Sequence, residues 1–247
     1  MHQDMKGGKC QMNKVFVLTK KELHSFFSSP VAYIILIVML SMFNIFFFLI
    51  IDQNREVSLR DVFHLMEFML VFFIPLLTMR LFSEEKSNGT MEFLLTAPLT
   101  HTMIVLGKYF SMVIFFTLLI SLTISYYFIL EYFGNPDPYS ILSGYLGIWL
   151  EGAFFIAVGL LASSWTSNQI IAAMVSYLIL FSLYFATSFT QYVSGPAEHF
   201  LNQLSTHTHL ENFAVGIITP SDVVYYLAGI LLCLVLTRLS IDNRLWH

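Results

Sequence analysis

Six apolar runs set the pattern of the chain: Val31 to Ile51, Val62 to Leu81, Tyr109 to Leu130, Ile141 to Ser163, Ile170 to Phe189 and Val223 to Leu239. A helix rises about 1.5 Å per residue, so about 20 apolar residues cross the roughly 30 Å hydrocarbon layer of a bilayer. Each run is therefore read as a membrane-spanning helix. Pro30 stands at the start of the first, where proline is tolerated. The second is less clean, with His64 and Glu67 near one end, Pro75 inside and Arg80 at the other. The fourth carries Glu151 near its centre. An acid there costs on the order of 3 kcal/mol on insertion scales, so Glu151 must face protein or water. It fits a pathway or a dimer interface, with Gly152, Gly159 and Ser163 on much the same side to permit close packing. A protonated carboxyl bonded to a neighbouring helix fits equally.

The polar segments between the runs carry the remaining pattern. Asn13 to Ser28 places Val15, Phe16, Leu18, Leu23, Phe26 and Phe27 on one side of a helix, opposite Lys14, Lys20, Lys21 and His24. Such a helix lies along the membrane surface, unless the stretch is a basic juxtamembrane segment that only fixes topology. Residues 1–12 read as a flexible tail and residues 13–247 as a single transmembrane domain. The last outer loop, residues 191–221, lacks Lys and Arg, and its "HLENFAVGIITPSD" suits a short helix in or dipping into the interface.

Composition agrees with lipid as the solvent. At 57% hydrophobic and 11% charged residues, with a mean hydropathy of +0.72, the chain exceeds what a soluble domain of 247 residues can bury. The expected class is an all-α integral membrane protein. Cys10 and Cys233 stand in unlike surroundings, which argues against a disulfide, and no apolar stretch precedes Cys10 as a signal peptide would require. The net charge of -4, without a basic cluster interleaved with aromatics, gives no footprint for nucleic acid. Charge instead sets orientation. Of the 12 Lys and Arg, all but Arg55 and Arg60 fall in segments on the side of the N terminus, so both termini are expected in the cytoplasm.

That topology places residues 82–108 inside the cell. There "EEKSNGTMEFLLTAPLTHTMIVLGK" reads as a stop at Glu84, Glu85 and Lys86, a break at Asn88 and Gly89, and a cap at Thr90. A two-turn helix would follow, with Glu92 in its first turn, Met91, Leu94 and Leu95 as an apolar ridge, and Pro98 as its end. So short a helix needs a packing partner. The partner is either another protein or the inner membrane face.

Two sets of histidines suggest fragments of metal chemistry: His64 with Glu67, and His199, His207 and His209 in the last outer loop. Neither set has a second half in sequence, so no metal site is expected. No Gly-x-Ser-x-Gly or His-Glu-x-x-His pattern supports hydrolase chemistry.

The stretch "LFSEEKSNGTMEFLLTAPLTHTMIVLGKYFS" resembles the ABC-2 type permeases, in which an acid, a Gly-Thr, a second acid, a Leu-Leu pair and a proline follow the second span. "KKELHSFFSSPVAY" resembles that family's connecting helix, here residues 13–28, and "GLLASSWTSNQIIAA" its turn between spans four and five. The resemblance implies the ABC-2 (type V exporter-like) permease fold. It makes Glu84, Gly89, Thr90, Glu92, Leu94, Leu95 and Pro98 the element that couples to a separate ATP-binding subunit. No Gly-x-x-x-x-Gly-Lys-[Ser/Thr] loop occurs in the chain, so ATP and Mg would be bound by that subunit, present in two copies. A second permease copy or a related chain would complete the complex, with room for an accessory periplasm-facing subunit. "HLENFAVGIITPSDVVYY" is most similar to the gliding-motility-associated permeases and their nitrous-oxide-reductase-maturation relatives. The implied setting is the bacterial inner membrane. The alternative from the residues themselves is an ion-coupled transporter or channel using Glu151 and Glu67.

Overall fold

A computed structural model of the chain describes residues 2–54, 58–91, 99–192 and 195–243, with side chains from Lys14 onward. Among the described residues every regular element is a helix. In chain order they are α1 (His2–Phe27), α2 (Pro30–Asn54), α3 (Arg60–Thr78), α4 (Arg80–Ser87), α5 (His101–Thr123), α6 (Ser125–Phe133), α7 (Pro138–Trp165) and α8 (Gln169–Tyr184). A 3-10 helix (Phe185–Tyr192), α9 (Pro196–Leu204), α10 (Thr206–Ala214) and α11 (Pro220–Asn243) complete the chain. Six stretches are long and apolar enough to cross a membrane: Pro30–Gln53, Arg60–Ser87, His101–Phe133, Pro138–Trp165, Gln169–Tyr192 and Pro220–Asp242. These contain the six runs expected from the sequence, extended into their polar flanks by local capping. Asp137 Oδ1 accepts from the Tyr139 amide at 3.1 Å beside Pro138, and Asn168 Oδ1 accepts from the Ile170 amide at 2.9 Å.

The fourth span is the axis of the bundle. In its apolar window 89% of residues are buried by the other helices, against 17% in α2. Accordingly α2 turns Ile34, Ile37, Ile45 and Phe48 outward, as suits a lipid-facing helix. Gly152 and Gly159 let neighbours close on α7: a Cβ would fall 2.2 Å from the Phe116 ring at Gly152 and 2.0 Å from Thr78 Oγ1 at Gly159. The close packing that these glycines permit is with α5 and α3 of the same chain.

The second and third spans are broken, and side chains from α7 satisfy both breaks. Pro75 cannot donate to the helix ladder, and the regular helix is interrupted at Met79, between α3 and α4. The Ser163 hydroxyl donates to the Met79 carbonyl at 3.1 Å and accepts from the Phe82 and Ser83 amides at 2.9 and 3.1 Å. The third span is interrupted at Ile124, next to which Tyr145 Oη donates to the Thr123 carbonyl at 2.6 Å.

Two features differ from expectation. α1 starts at His2, ahead of the expected Asn13, because extending a nucleated helix costs far less than starting one. Its burial is also selective. Leu18 is buried over Gly107 of α5, and Phe26 and Phe27 meet Phe115 at 4.8 and 5.5 Å, whereas Phe16 is exposed. The loop between the last two spans holds two short helices, α9 and α10. α10 packs into the bundle, burying Leu210, Phe213 and Ala214. The Ser140 and Ser143 hydroxyls donate to its Ala214 and Phe213 carbonyls at 2.9 and 2.7 Å, which satisfies the exposed end of the helix.

Candidate functional site

The candidate coupling element begins where α4 ends. Gly89 has φ +69°, a left-handed conformation that glycine adopts without a Cβ penalty. The Gly89 amide then donates to the Lys86 carbonyl at 3.4 Å and the Thr90 amide to the Glu85 carbonyl at 3.0 Å. This pair of bonds is a Schellman termination. The Thr90 hydroxyl also turns back to the Glu85 carbonyl, at 3.3 Å. Thr90 therefore serves the end of α4, a role that the capping pattern alone does not reveal. Glu92, Leu94, Leu95 and Pro98, with the short helix expected around them, lie outside the described residues.

Behind this turn lies Lys108, which sequence reading assigned to orientation alone. It is 1% exposed, with Nζ 2.7 Å from Glu85 Oε1, 3.2 Å from Glu22 Oε2 and 5.4 Å from the centre of the Phe82 ring. One ammonium thus ties α1, α4 and α5 together. Removing it would leave two carboxylates in a site with little water. An open cavity of about 320 Å³ adjoins the network, and Glu22, Arg80, Glu84, Glu85, Thr90 and Lys108 are among its walls. Nearby, Lys86 donates to the Ser164 carbonyl at the C-terminal end of α7, where the helix dipole favours a cation. The sequence signal for this network was a lysine among apolar residues one turn into a span.

The opposite end of the bundle collects the other candidates. Glu67 on α3 and Glu151 on α7 are both fully buried, and Glu151 lies against Glu67 and Thr206. The two acids that the ion-coupled alternative invoked together therefore share one place inside a single chain. His207 on α10 joins them, with Nδ1 2.8 Å from Glu67 Oε2. That hydrogen bond raises the His207 pKa above the ordinary imidazole value. His64 Nδ1 is 3.7 Å from Glu67 Oε2, while its Nε2 is 2.6 Å from Glu211 Oε2, and Glu211 also pairs with Arg60.

His209 stands apart. It pairs with Asp222 at 2.7 Å and stacks on Tyr225 at 4.0 Å, and Asn212 donates to the same carboxylate at 2.9 Å. This second polar group fixes α10 against the start of α11. His199 is exposed beside Gln203 and joins neither cluster.

A bundle of six spans, with a glycine-terminated turn after the second and a buried lysine anchoring it, agrees with a family model described as "ABC-2 family transporter protein", which matches residues 16–241. The chain belongs to the ABC-2 transporter family. Comparison with curated proteins gives no match. As an ABC-2 permease the chain is the multi-pass membrane component of an ABC transporter and not its ATPase, and the family implies an ATP-binding partner.

Proposed function

We propose that this ABC-2 permease couples ATP hydrolysis in a separate subunit to export or envelope-directed work through the turn after α4. The observation that carries this reading is the Lys108 bridge between Glu22 and Glu85. A push on residues 90–98 passes through the Gly89 termination into α4, and the buried lysine links α4 to both α1 and α5. The three helices then move together, and ATP binding shifts the population between inward and outward arrangements according to its differential affinity for them.

In this reading residues 13–247 act as one permease domain, with both termini and the coupling turn in the cytoplasm of a bacterium and the His64 cluster facing out. Two copies, or one copy and a related chain, stand above two ATPase subunits that bind ATP and Mg. An accessory periplasm-facing subunit would suit the gliding-motility and nitrous-oxide-reductase-maturation relatives. Glu84, Gly89, Thr90, Glu92, Leu94, Leu95 and Pro98 form the contact with the ATPase. Glu67 and Glu151 are assigned to the pathway side of each bundle, where their burial within one chain supports a role that does not require the second copy.

The test is co-expression with a candidate ATP-binding subunit of an ABC transporter. Replacing Glu92 by Ala, or both Leu94 and Leu95 by Ala, is expected to detach the ATPase or abolish its stimulation, with the helical content of the permease unchanged. Variants that keep both assembly and stimulated hydrolysis would overturn the coupling assignment.

A further inference from the structure

We propose that His64, Glu67 and His207 form a binding site for one divalent transition-metal ion of the zinc class, at the end of the bundle remote from the coupling turn. His64 and Glu67 stand three residues apart on one face of α3, and His207 reaches them from α10, 140 residues further along the chain. Their ligand atoms all lie within 4.8 Å of one another. Around a tetrahedral zinc ion with bonds of about 2.0–2.1 Å, neighbouring ligand atoms are roughly 3.3 Å apart. The spacings from Glu67 Oε2, 2.8 Å to His207 and 3.7 Å to His64, fall on either side of that value. The third spacing, between the two imidazole nitrogens, is at most 4.8 Å, so side-chain rotation must close it by up to about 1.5 Å.

The second observation is the state of the ligand atoms. His64 Nε2 is 2.6 Å from Glu211 Oε2, and a carboxylate can only accept, so the ring proton sits on Nε2 and the lone pair on Nδ1. That Nδ1 is buried and has no hydrogen-bond partner, and Glu67 Oε1 is likewise buried without one. His64 Nδ1 therefore offers an unshared electron pair 3.7 Å from Glu67 Oε2, the oxygen that His207 also meets. Glu211, held in turn by Arg60, is the carboxylate behind the imidazole that orients metal-binding histidines.

Charge favours the same occupant. Glu67 is fully buried with a second carboxyl beside it, and the nearby Arg60 is engaged by Glu211. A divalent cation brings two positive charges to this pair of buried carboxyl groups, where a protonated imidazole brings one. Two nitrogens and one oxygen suit zinc better than calcium or magnesium, which prefer oxygen alone. On binding, the ion takes the place of the proton between His207 Nδ1 and Glu67, which passes to Nε2 or to solvent. The His207 side chain is 39% exposed and gives the ion a way in. Three protein ligands leave a fourth position open, and a filled site would tie α10 to α3.

The test uses the full chain in lipid nanodiscs, stripped with a chelator and titrated with Zn²⁺ against a chromogenic competitor, then with Co²⁺ for its visible spectrum. Expected are one equivalent of Zn²⁺ and Co²⁺ bands typical of four-coordination. His207→Ala and Glu67→Gln should each weaken binding by more than about 100-fold. Glu211→Gln, acting through His64, should weaken it by about 10–100-fold, and His199→Ala should leave it unchanged. Because His207 is partly exposed, its variant keeps the test independent of the buried acid. Failure of the wild-type chain to take up stoichiometric Zn²⁺ overturns the proposal. So does undiminished binding in the His207 and Glu67 variants, which would place the ion elsewhere.

Discussion

At the end of the bundle that carries Gly89, the half-buried carboxylates of Glu85 and Glu22 meet a buried lysine. At the opposite end Glu67 meets two imidazoles, whose charge depends on protons or on an ion. The first arrangement is complete within the chain and acts as a fixed joint among three helices. The second leaves ligand atoms without partners, and its state can change with what binds. Under the proposed coupling, the fixed joint stands where force would enter and the adjustable contact stands at the far end.

The contrast is most exposed to breakage at Lys108. Lys108→Met leaves the half-buried Glu22 and Glu85 without this counter-charge, which costs about 3 kcal/mol, the low end for a broken buried pair because both carboxylates keep some contact with water. The thermal midpoint of the purified permease should fall clearly, and adding Glu85→Gln should restore part of the loss. A double variant no better than the single one would mean that the joint does not depend on charge.

Ser163→Ala sharpens the comparison between the ends by attacking the link between them. It strands the Phe82 and Ser83 amides at the break in the second span, costing about 1–3 kcal/mol. Alongside lower stability, faster amide exchange is expected at residues 79–83, with none at α10. Equal loosening of α10 would show that the two ends are not separable.

The smallest effect is expected at the end that carries α9 and α10. Tyr225→Phe removes a 2.7 Å hydrogen bond to the Leu204 carbonyl but keeps the ring stacked on His209. The cost should be about 1 kcal/mol or less, read as a small change in thermal midpoint. A loss comparable to that of Lys108→Met would mean that α9 and α10 are as integral to the fold as the Lys108 joint.

Much of the architecture was legible in advance because it depends on local sequence. Apolar runs of sufficient length specify spans wherever they occur, and "SNGT" announces the end of α4 because only glycine turns left-handed there without strain. The sites were legible in pieces. Glu67 and Glu151 stood out because acids in lipid are costly, yet their adjacency did not, and His207 seemed a polar loop residue until α10 packed against α7. Lys108 carried no pattern beyond its own charge.

The sequence by itself determined that six helices cross a membrane, that basic residues crowd one side, and that the chain breaks at Gly89. Each follows from the free energy of moving nearby side chains between water and hydrocarbon, or from the φ that a residue tolerates. Tertiary structure alone decided that Ser163 closes a break 84 residues away and that His207 meets Glu67 across 140. The reason is that helical periodicity fixes which face a side chain occupies but not which helix comes to lie against it. That choice belongs to the packing of α7, whose glycines set how closely α3 and α5 approach.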